Sequence, residues 1–175
     1  MELSEIITPS QMLREDDEHG TIALNMYVAP KYKTPKHFHD HFTENFEVVR
    51  GNITFISGKD RIILNSGGKI SVPAGTIHAF QNDANTSAIV KVSVSACQDD
   101  FVSAFSIYHG LIRDGLVNKK MHPKNFGDLA LFLKLTNSRM PGIAKYLVEP
   151  FFLRAAAKAE AIGRMKELKE RYVIG

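Results

Sequence analysis

The sequence has little of what would place a protein outside the cell or in a membrane. It contains a single cysteine, Cys97, in 175 residues, which excludes an internal disulfide framework. No apolar run approaches the roughly 20 residues that a membrane-spanning helix needs. The first residues, Met-Glu-Leu-Ser-Glu, lack the basic and apolar regions of a secretory signal peptide. We therefore expect a cytoplasmic protein with no membrane partner.

The chain also lacks a block of charge of one sign. Its net charge is +3, but residues 1–98 carry 9 Lys/Arg against 11 Asp/Glu, and residues 99–175 carry 13 against 8. The basic residues of the second half are interspersed with acidic ones, as is typical of a solvated helical surface. No helix-turn-helix module is visible, so we expect no nucleic-acid partner.

What is present is the composition of a globular domain, with 44% hydrophobic and 23% charged residues. Residues 1–20 are predicted to be an irregular lead-in. Beyond them, short β-prone segments are separated by turns rich in Gly, Pro and Asn, which predicts an all-β sandwich or small barrel. The predicted strands span residues 21–29, 44–50, 53–57, 61–65, 69–72, 76–81 and 90–95.

After Cys97 the pattern becomes helical. Asp99-Asp100 can cap a helix that ends near Gly115, and Asn125 precedes a second helical run to Leu135. A short apolar segment over 143–148 comes before a long helix over 150–172. We expect this extension to pack on the barrel or on a second subunit of a homodimer.

The last helix allows a second interpretation. It is partly basic and begins with Phe151-Phe152, two features of helices that lie on a membrane surface. The acidic residues Glu160, Glu167 and Glu170 on the same segment favour packing against protein instead.

The most informative stretch is His37-Phe38-His39-Asp40-His41-Phe42-Thr43-Glu44. Residues two apart on a strand point to the same face, so His37 and His39 can converge on one point. Neutral imidazole and carboxylate are ligands of divalent transition metals, with iron, manganese, nickel, zinc and copper all consistent. His78 follows a Pro-x-Gly turn and is placed to face back into the barrel.

Together the two segments resemble the two signatures of the cupin family. The matching residues are His37-x-His39-x4-Glu44-x6-Gly51 and Gly67-x5-Pro73-x-Gly75-x2-His78-x3-Asn82. One position departs from the family pattern, since Lys31 stands where the first motif often has glycine, but it concerns a turn and not a ligand.

The resemblance implies a fold and a ligand set. The expected fold is mainly β, a cupin jelly-roll β-barrel over residues 21–98 followed by a C-terminal α-helical extension over residues 99–175. The resemblance carries over four metal ligands: His37, His39, Glu44 and His78.

The remaining histidines and the cysteine are given other roles. His41 lies in the connection that leads to Glu44, and we expect it at the surface or supporting the ligands. His19, His109 and His122 have no partner in sequence and are expected to be structural or exposed. Cys97 is expected to be a packed small apolar residue.

Two phenylalanines are expected beside the metal. Phe46 shares a strand face with Glu44, and Phe80 shares one with His78. They could line a pocket for a small, partly hydrophobic ligand that coordinates through oxygen. The alternative is that they are core residues of a filled barrel.

These features favour a metal-dependent enzyme, most simply an oxygenase of a small organic substrate. Four protein ligands leave open coordination positions on a five- or six-coordinate metal. Glu44 is the candidate catalytic base. Isomerisation or hydrolysis through a metal-bound water suits the same residues. The alternatives are a non-catalytic cupin that binds a metal and a small ligand, and a structural dimer module.

Overall fold

The structure is a computed structural model, and it describes residues 13–14, 21–94, 98–119 and 121–173. The predicted lead-in, apart from Leu13–Arg14, lies outside the described residues, as do His19 and Cys97. The chain divides into two compact units, residues 1–98 and residues 99–175.

The first unit contains short strands and, within its described residues up to Val94, no helix. The strands are β1 (Leu13–Arg14), β2 (Ile22–Val28), β3 (Phe38–His39), β4 (Glu44–Arg50), β5 (Asn52–Ser57), β6 (Asp60–Asn65), β7 (Lys69–Val72), β8 (His78–Gln81) and β9 (Ala88–Val94). Two predicted strands, over 44–50 and 69–72, have the predicted bounds, and the other five predicted strands begin within two residues of the predicted positions. The mainly β class is confirmed.

Two antiparallel sheets build the unit, in the orders β1-β2-β9-β4-β7 and β6-β5-β8. The named strands of the described ranges do not join into one continuous ring, so the expected closed barrel is observed as a two-sheet jelly roll. Rings on both sheets meet between them, since Phe46 of β4 lies 4.8 Å from Phe55 of β5.

Strand β9 lies in the middle of the larger sheet and alternates strictly between buried and partly exposed residues. Val90, Val92 and Val94 are buried, whereas Lys91 and Ser93 on the other face are partly exposed. Burying a valine side chain stabilises the fold by about 1.5 kcal/mol or more, so the register of β9 is strongly specified. Val94 pairs with Glu44 of β4, and this register places Glu44 on the inner face.

The second unit is helical. Its elements are α1 (Gln98–Arg113), α2 (Phe126–Leu135), β10 (Ser138–Arg139), α3 (Ala144–Leu147), α4 (Glu149–Ala161) and α5 (Arg164–Tyr172). As predicted, Asn125 caps α2: its side chain accepts hydrogen bonds from the backbone N–H groups of Gly127 and Asp128. Asp99 and Asp100 lie in the first turn of α1 rather than before it. Among the described residues, no helix is long and apolar enough to cross a membrane.

The prediction of a single long helix over 150–172 is wrong. It divides into α4 and α5 at Gly163, whose φ of 80° is left-handed. Glycine adopts this conformation at little cost, and it ends the helical hydrogen-bond pattern. Arg164 begins α5 and joins it to α2, because its guanidinium donates to both carboxylate oxygens of Asp128 at 2.8 Å.

The core of the second unit is formed by small and aliphatic side chains of four helices, with Tyr172 at one end. Its members are Ala104, Ile107, Leu111, Ala130, Leu131, Leu135, Ala156, Ala159, Leu168 and Tyr172. Gly110 on α1 leaves room for the Tyr172 ring, which a Cβ at this position would overlap.

Candidate metal centre

Four side chains converge between the two sheets of the first unit. One ligand atom from each of His37, His39, Glu44 and His78 lies within 4.8 Å of the other three. It is the one group of this kind found among the described residues. The structure therefore brings together the four residues of the two motifs. His41 is exposed and is not part of the group.

Backbone hydrogen bonds align the two motifs. His37 and His78 form an antiparallel bridge in which each N–H donates to the carbonyl of the other, at 3.0 and 2.8 Å. The turn before His78 is tied in as well, because Gly75, with a φ of 78°, donates its N–H to the His39 carbonyl at 2.7 Å. Glycine is suited to this positive φ. The motif glycine therefore positions a histidine of the other motif.

Two of the imidazole rings are oriented by carbonyl groups. Nδ1 of His37 lies 2.9 Å from the Pro35 carbonyl oxygen, and Nδ1 of His78 lies 2.9 Å from that of Thr76. A carbonyl oxygen only accepts, so both Nδ1 atoms carry hydrogen. This leaves Nε2 as the atom with which each ring could bind a metal, as in metal sites whose second nitrogen is held by a carbonyl.

The contacts of Glu44 test whether a metal fits. Its Oε2 lies 3.0 Å from His78 Nε2 and 3.3 Å from His39 Nε2. Ligands with metal bonds of about 2.1 Å are about 3.0 Å apart at a right angle and about 3.4 Å apart at a tetrahedral angle. A lone pair on Nε2 that faces a carboxylate at such a distance also needs a positive charge between the two. Spacing and donor chemistry both fit a divalent transition metal.

Burial and hydrogen bonding set the charges of the group. When no metal is bound, burial raises the pKa of Glu44, but hydrogen bonds donated by His39 and His78 and their charge interactions outweigh it and bring the pKa to about 2. Burial is also the main cause that lowers the pKa of His37 to about 4, with the nearby His78 acting in the same direction. At neutral pH Glu44 is therefore a carboxylate and His37 a neutral imidazole, the forms in which both bind metals.

Aromatic rings surround the ligands. Phe55 stacks on His78, with ring centroids 6.1 Å apart and an interplanar angle of 4°, and Phe42 stacks on His39 at 4.6 Å. Neither was among the predicted site residues. Phe55 reaches the site because it pairs with Phe80 across β5 and β8, a register that local sequence does not reveal. Phe42 lies in the connection between His39 and Glu44, where the periodicity of a strand gives no signal.

The two predicted pocket residues are buried and pack on each other. Phe46 and Phe80 are 3% and 5% exposed, and their ring centroids are 5.9 Å apart. Phe46 also lies 6.2 Å from the His78 ring and 4.8 Å from Phe55. Phe46 thus adjoins a candidate ligand, Phe80 packs behind it, and their role as walls of a substrate pocket stays a prediction.

A separate groove lies on the outer face of the larger sheet. Its volume is about 410 Å³, and its lining is mostly polar: Asn45, Glu47, Lys69, Ser71, Lys91 and Ser93, together with Phe46 and Ile70. Along β4, Asn45 and Glu47 alternate with Glu44 and therefore point away from the metal ligands. A substrate bound to the metal would not occupy this groove.

The other histidines do not contribute to the cluster. His122 is exposed, and His109 is buried within α1 beside Phe105 and Tyr108. Burial lowers the pKa of His109 to about 4. His109 is therefore neutral at physiological pH, consistent with the structural role expected for it.

Comparison with known families identifies the fold. A family model described as a cupin domain matches residues 24–95, a range that contains all four candidate ligands. The match and the strands of the first unit support a type-2 cupin domain over residues 24–95. The chain is 32% identical over 102 residues to a quercetin 2,3-dioxygenase of Bacillus subtilis (strain 168). The match covers 52% of this chain and 30% of the relative, so the chain spans less than a third of that curated protein.

Solved structures resemble the cupin over part of its length. A cupin 2 conserved barrel domain protein of Salinispora arenicola CNS-205 is 18% identical, with a TM-score of 0.42 over 49% of this chain and 71% of that one. An oxalate oxidase in complex with the substrate analogue glycolate is 24% identical, with a TM-score of 0.41 over 44% and 42%. A protein of Thermus thermophilus is 17% identical, with a TM-score of 0.43 over 54% and 94%.

Proposed function

We propose that this cupin is a metal-dependent enzyme of the oxygenase type, acting on a small, partly hydrophobic organic substrate between its two sheets. His37, His39, Glu44 and His78 would hold one divalent transition metal. The observation that carries the proposal is the buried contact of Glu44 Oε2 with the Nε2 atoms of two histidines. Burying a carboxylate is costly unless cationic or hydrogen-bonding partners compensate it, so such an arrangement points to a site rather than to packing.

The bound metal would supply open coordination positions, Lewis acidity and, for iron, manganese, nickel or copper, redox chemistry. The protein's own part is to orient and to move protons. The carbonyls of Pro35 and Thr76 keep the Nε2 atoms of His37 and His78 aimed inward. Phe42 and Phe55 pack on two of the imidazole rings, so they limit ring rotation and exclude water.

Glu44 is the proposed catalytic base. Burial raises its pKa, and hydrogen bonds and charge interactions with His39 and His78 bring the pKa to about 2 when no metal is bound. If Glu44 left a bound metal as substrate enters, burial would make the carboxylate more basic. Glu44 could then take a proton from a substrate hydroxyl at its Oε atoms.

The similarity to a quercetin 2,3-dioxygenase supports including polyphenolic compounds among the substrates to test. The apolar rings of Phe46 and Phe80 beside the ligands are consistent with an aromatic substrate. A cytoplasmic location, a homodimer and packing of the helical extension on the barrel or on a partner subunit remain parts of the proposal.

A non-catalytic role is the second candidate. Phe46 and Phe80 are almost fully buried and pack on Phe55 or each other, which favours a filled interior at this point. In that case the cupin would bind a metal and at most a small ligand, without turnover.

Oxygen consumption by metal-loaded protein separates the two candidates. Purified protein would be stripped, reloaded with iron, manganese, nickel, zinc or copper in turn, and assayed with a panel of polyphenols and small hydroxy acids. The enzyme proposal expects uptake with at least one redox-active metal, lost in His39→Ala and retained in His41→Ala. Tight binding of metal and ligand with no uptake for any pair would support the binding protein instead.

A further inference from the structure

The helical unit presents a dense group of exposed apolar side chains around α3 and the start of α4. Within eleven residues, six large apolar side chains are between 41% and 74% exposed: Ile143, Tyr146, Leu147, Val148, Phe151 and Leu153. We call these six residues the apolar ridge. Single exposed apolar residues are ordinary on a protein surface, whereas a contiguous group marks contact with a partner or a membrane.

The opposite side of α4 already has its partners within the helical unit. Ala156 and Ala159 are buried in the core, and the Phe152 ring lies 4.9 Å from Phe126. Glu149 at the start of the helix is buried, and Arg139 donates to it from Nε at 2.6 Å. Four of the ridge residues precede α4, and Phe151 and Leu153 lie on α4 itself. Among the described residues, the core cluster of the helical unit and the side chains packed against it include none of the six.

Positive charge accompanies the ridge. Lys145, Arg154 and Lys158 are all exposed in the same stretch. The acidic residues between 140 and 162 are engaged elsewhere: Glu149 pairs with Arg139, and Glu160 accepts from Lys134 Nζ at 2.6 and 2.7 Å. Of the acidic residues that argue against a membrane from sequence, Glu160 is thus paired with Lys134, and Glu167 and Glu170 pair with Arg164 and Lys166 on α5.

This charge pattern favours one kind of occupant. A second copy bound through the same face would bring like charges together, because a two-fold interface places each patch against itself. An anionic phospholipid surface complements both properties: apolar side chains enter the boundary between headgroups and acyl chains, and lysine and arginine meet phosphate. Tyr146 has the amphipathic ring that is common at this boundary.

We propose that the apolar ridge, with Lys145, Arg154 and Lys158, binds the cupin peripherally to an anionic phospholipid membrane. This contact requires no spanning helix, because α4 has 13 residues and can lie flat in the interface. The proposal is independent of the metal centre and of any catalysis.

Vesicle co-sedimentation with the full chain tests the proposal. Vesicles of phosphatidylcholine alone would be compared with vesicles that also contain phosphatidylglycerol, at low and at high salt. We expect at least tenfold more protein bound to the anionic vesicles, with the difference shrinking as salt screens the charges. Leu147→Asp and Phe151→Asp should each reduce binding at least tenfold, and Lys145→Glu with Arg154→Glu should do the same.

Matched controls lie in the first unit. Ile63 on β6 is 68% exposed, so Ile63→Asp changes an exposed apolar residue far along the chain, and Lys59→Glu reverses an exposed charge. Both should bind like the parent, and circular dichroism would verify that every variant is folded. Absence of binding to anionic vesicles would overturn the proposal, as would equal loss in the Ile63→Asp control.

Two other outcomes would assign the ridge to a different occupant and also overturn the proposal. Sedimentation equilibrium that shows a dimer, dissociated by Phe151→Asp and indifferent to lipid, would identify a second copy of the chain. A monomer that ignores lipid and loses thermal stability in Phe151→Asp would show that the chain itself covers the ridge.

Discussion

His78 Nε2 lies 3.0 Å from Glu44 Oε2, a contact between residues 34 positions apart that joins the two sequence motifs. Glu44 begins β4 in one sheet and His78 begins β8 in the other. The contact therefore depends on how the sheets face each other, and it reports directly on the assembled site.

Replacing Glu44 by glutamine should weaken metal binding at least tenfold. The amide keeps the shape of the side chain but removes the negative charge and one strong metal ligand. Competition with a chromophoric chelator would measure the change in affinity. Glu47→Gln is the matched control, because Glu47 lies on the outer side of the same strand in a surface ion pair with Lys69. An equal effect of the two substitutions would contradict the assignment of Glu44.

Metal should stabilise the fold through the same residues. A ligand at about 100 times its Kd adds about 2.7 kcal/mol to the free energy of unfolding if it binds the native state alone. Thermal unfolding of stripped protein with and without added metal would show a rise in Tm that a chelator reverses. His78→Ala should lose this rise, whereas His122→Ala, at an exposed position, should keep it. A metal-induced rise that survives in His78→Ala would place the metal elsewhere.

Much of this site could be predicted because its signals are local. His37 and His39 share a strand face, and Gly75 and His78 belong to one turn, so spacing alone brings them into consideration. The contribution of Phe55 depends on its register with Phe80, which is set by pairing between two strands. Periodicity along either strand carries no information on that pairing.

The helical unit shows a different limit. Gly163 lies inside the helix predicted over residues 150–172, and a single glycine within a helical pattern costs only about 1 kcal/mol and need not end the helix. Its left-handed φ accompanies the ion pair of Arg164 with Asp128, a residue 36 positions earlier in the chain. Such a break is decided by tertiary packing, and so the prediction of one long helix failed.

Gly110→Ala should destabilise the helical unit by about 1–3 kcal/mol, since the added methyl would overlap the Tyr172 ring and helix α1 or α5 would have to move. Urea unfolding would measure the loss. In a Tyr172→Leu background the same substitution should cost less, because the smaller side chain makes room. Additive losses in the double variant would show that the two residues do not meet.

Acid should destabilise the protein partly through His109. Its pKa is about 4 in the folded chain and about 6.5 when exposed. The unfolded state therefore binds more protons between these values, and stability falls as pH drops through this window. For this one group the loss from pH 7 to pH 5 is about 2 kcal/mol.

His109→Phe keeps an aromatic ring among Phe105 and Tyr108 but cannot take up a proton. Urea unfolding at both pH values should show a smaller loss on acidification for this variant than for the parent. Identical losses would mean that His109 is not protonated on unfolding in this range.

The most direct test of the metal centre is anomalous X-ray scattering from crystals grown with manganese, zinc or iron, with data collected at the absorption edge. We predict one strong peak per chain, within about 2.0–2.3 Å of an Nε2 atom of His37, His39 and His78 and of a carboxylate oxygen of Glu44. A metal peak beside other residues would contradict the account. So would the absence of a peak beside these four residues in crystals grown with excess metal.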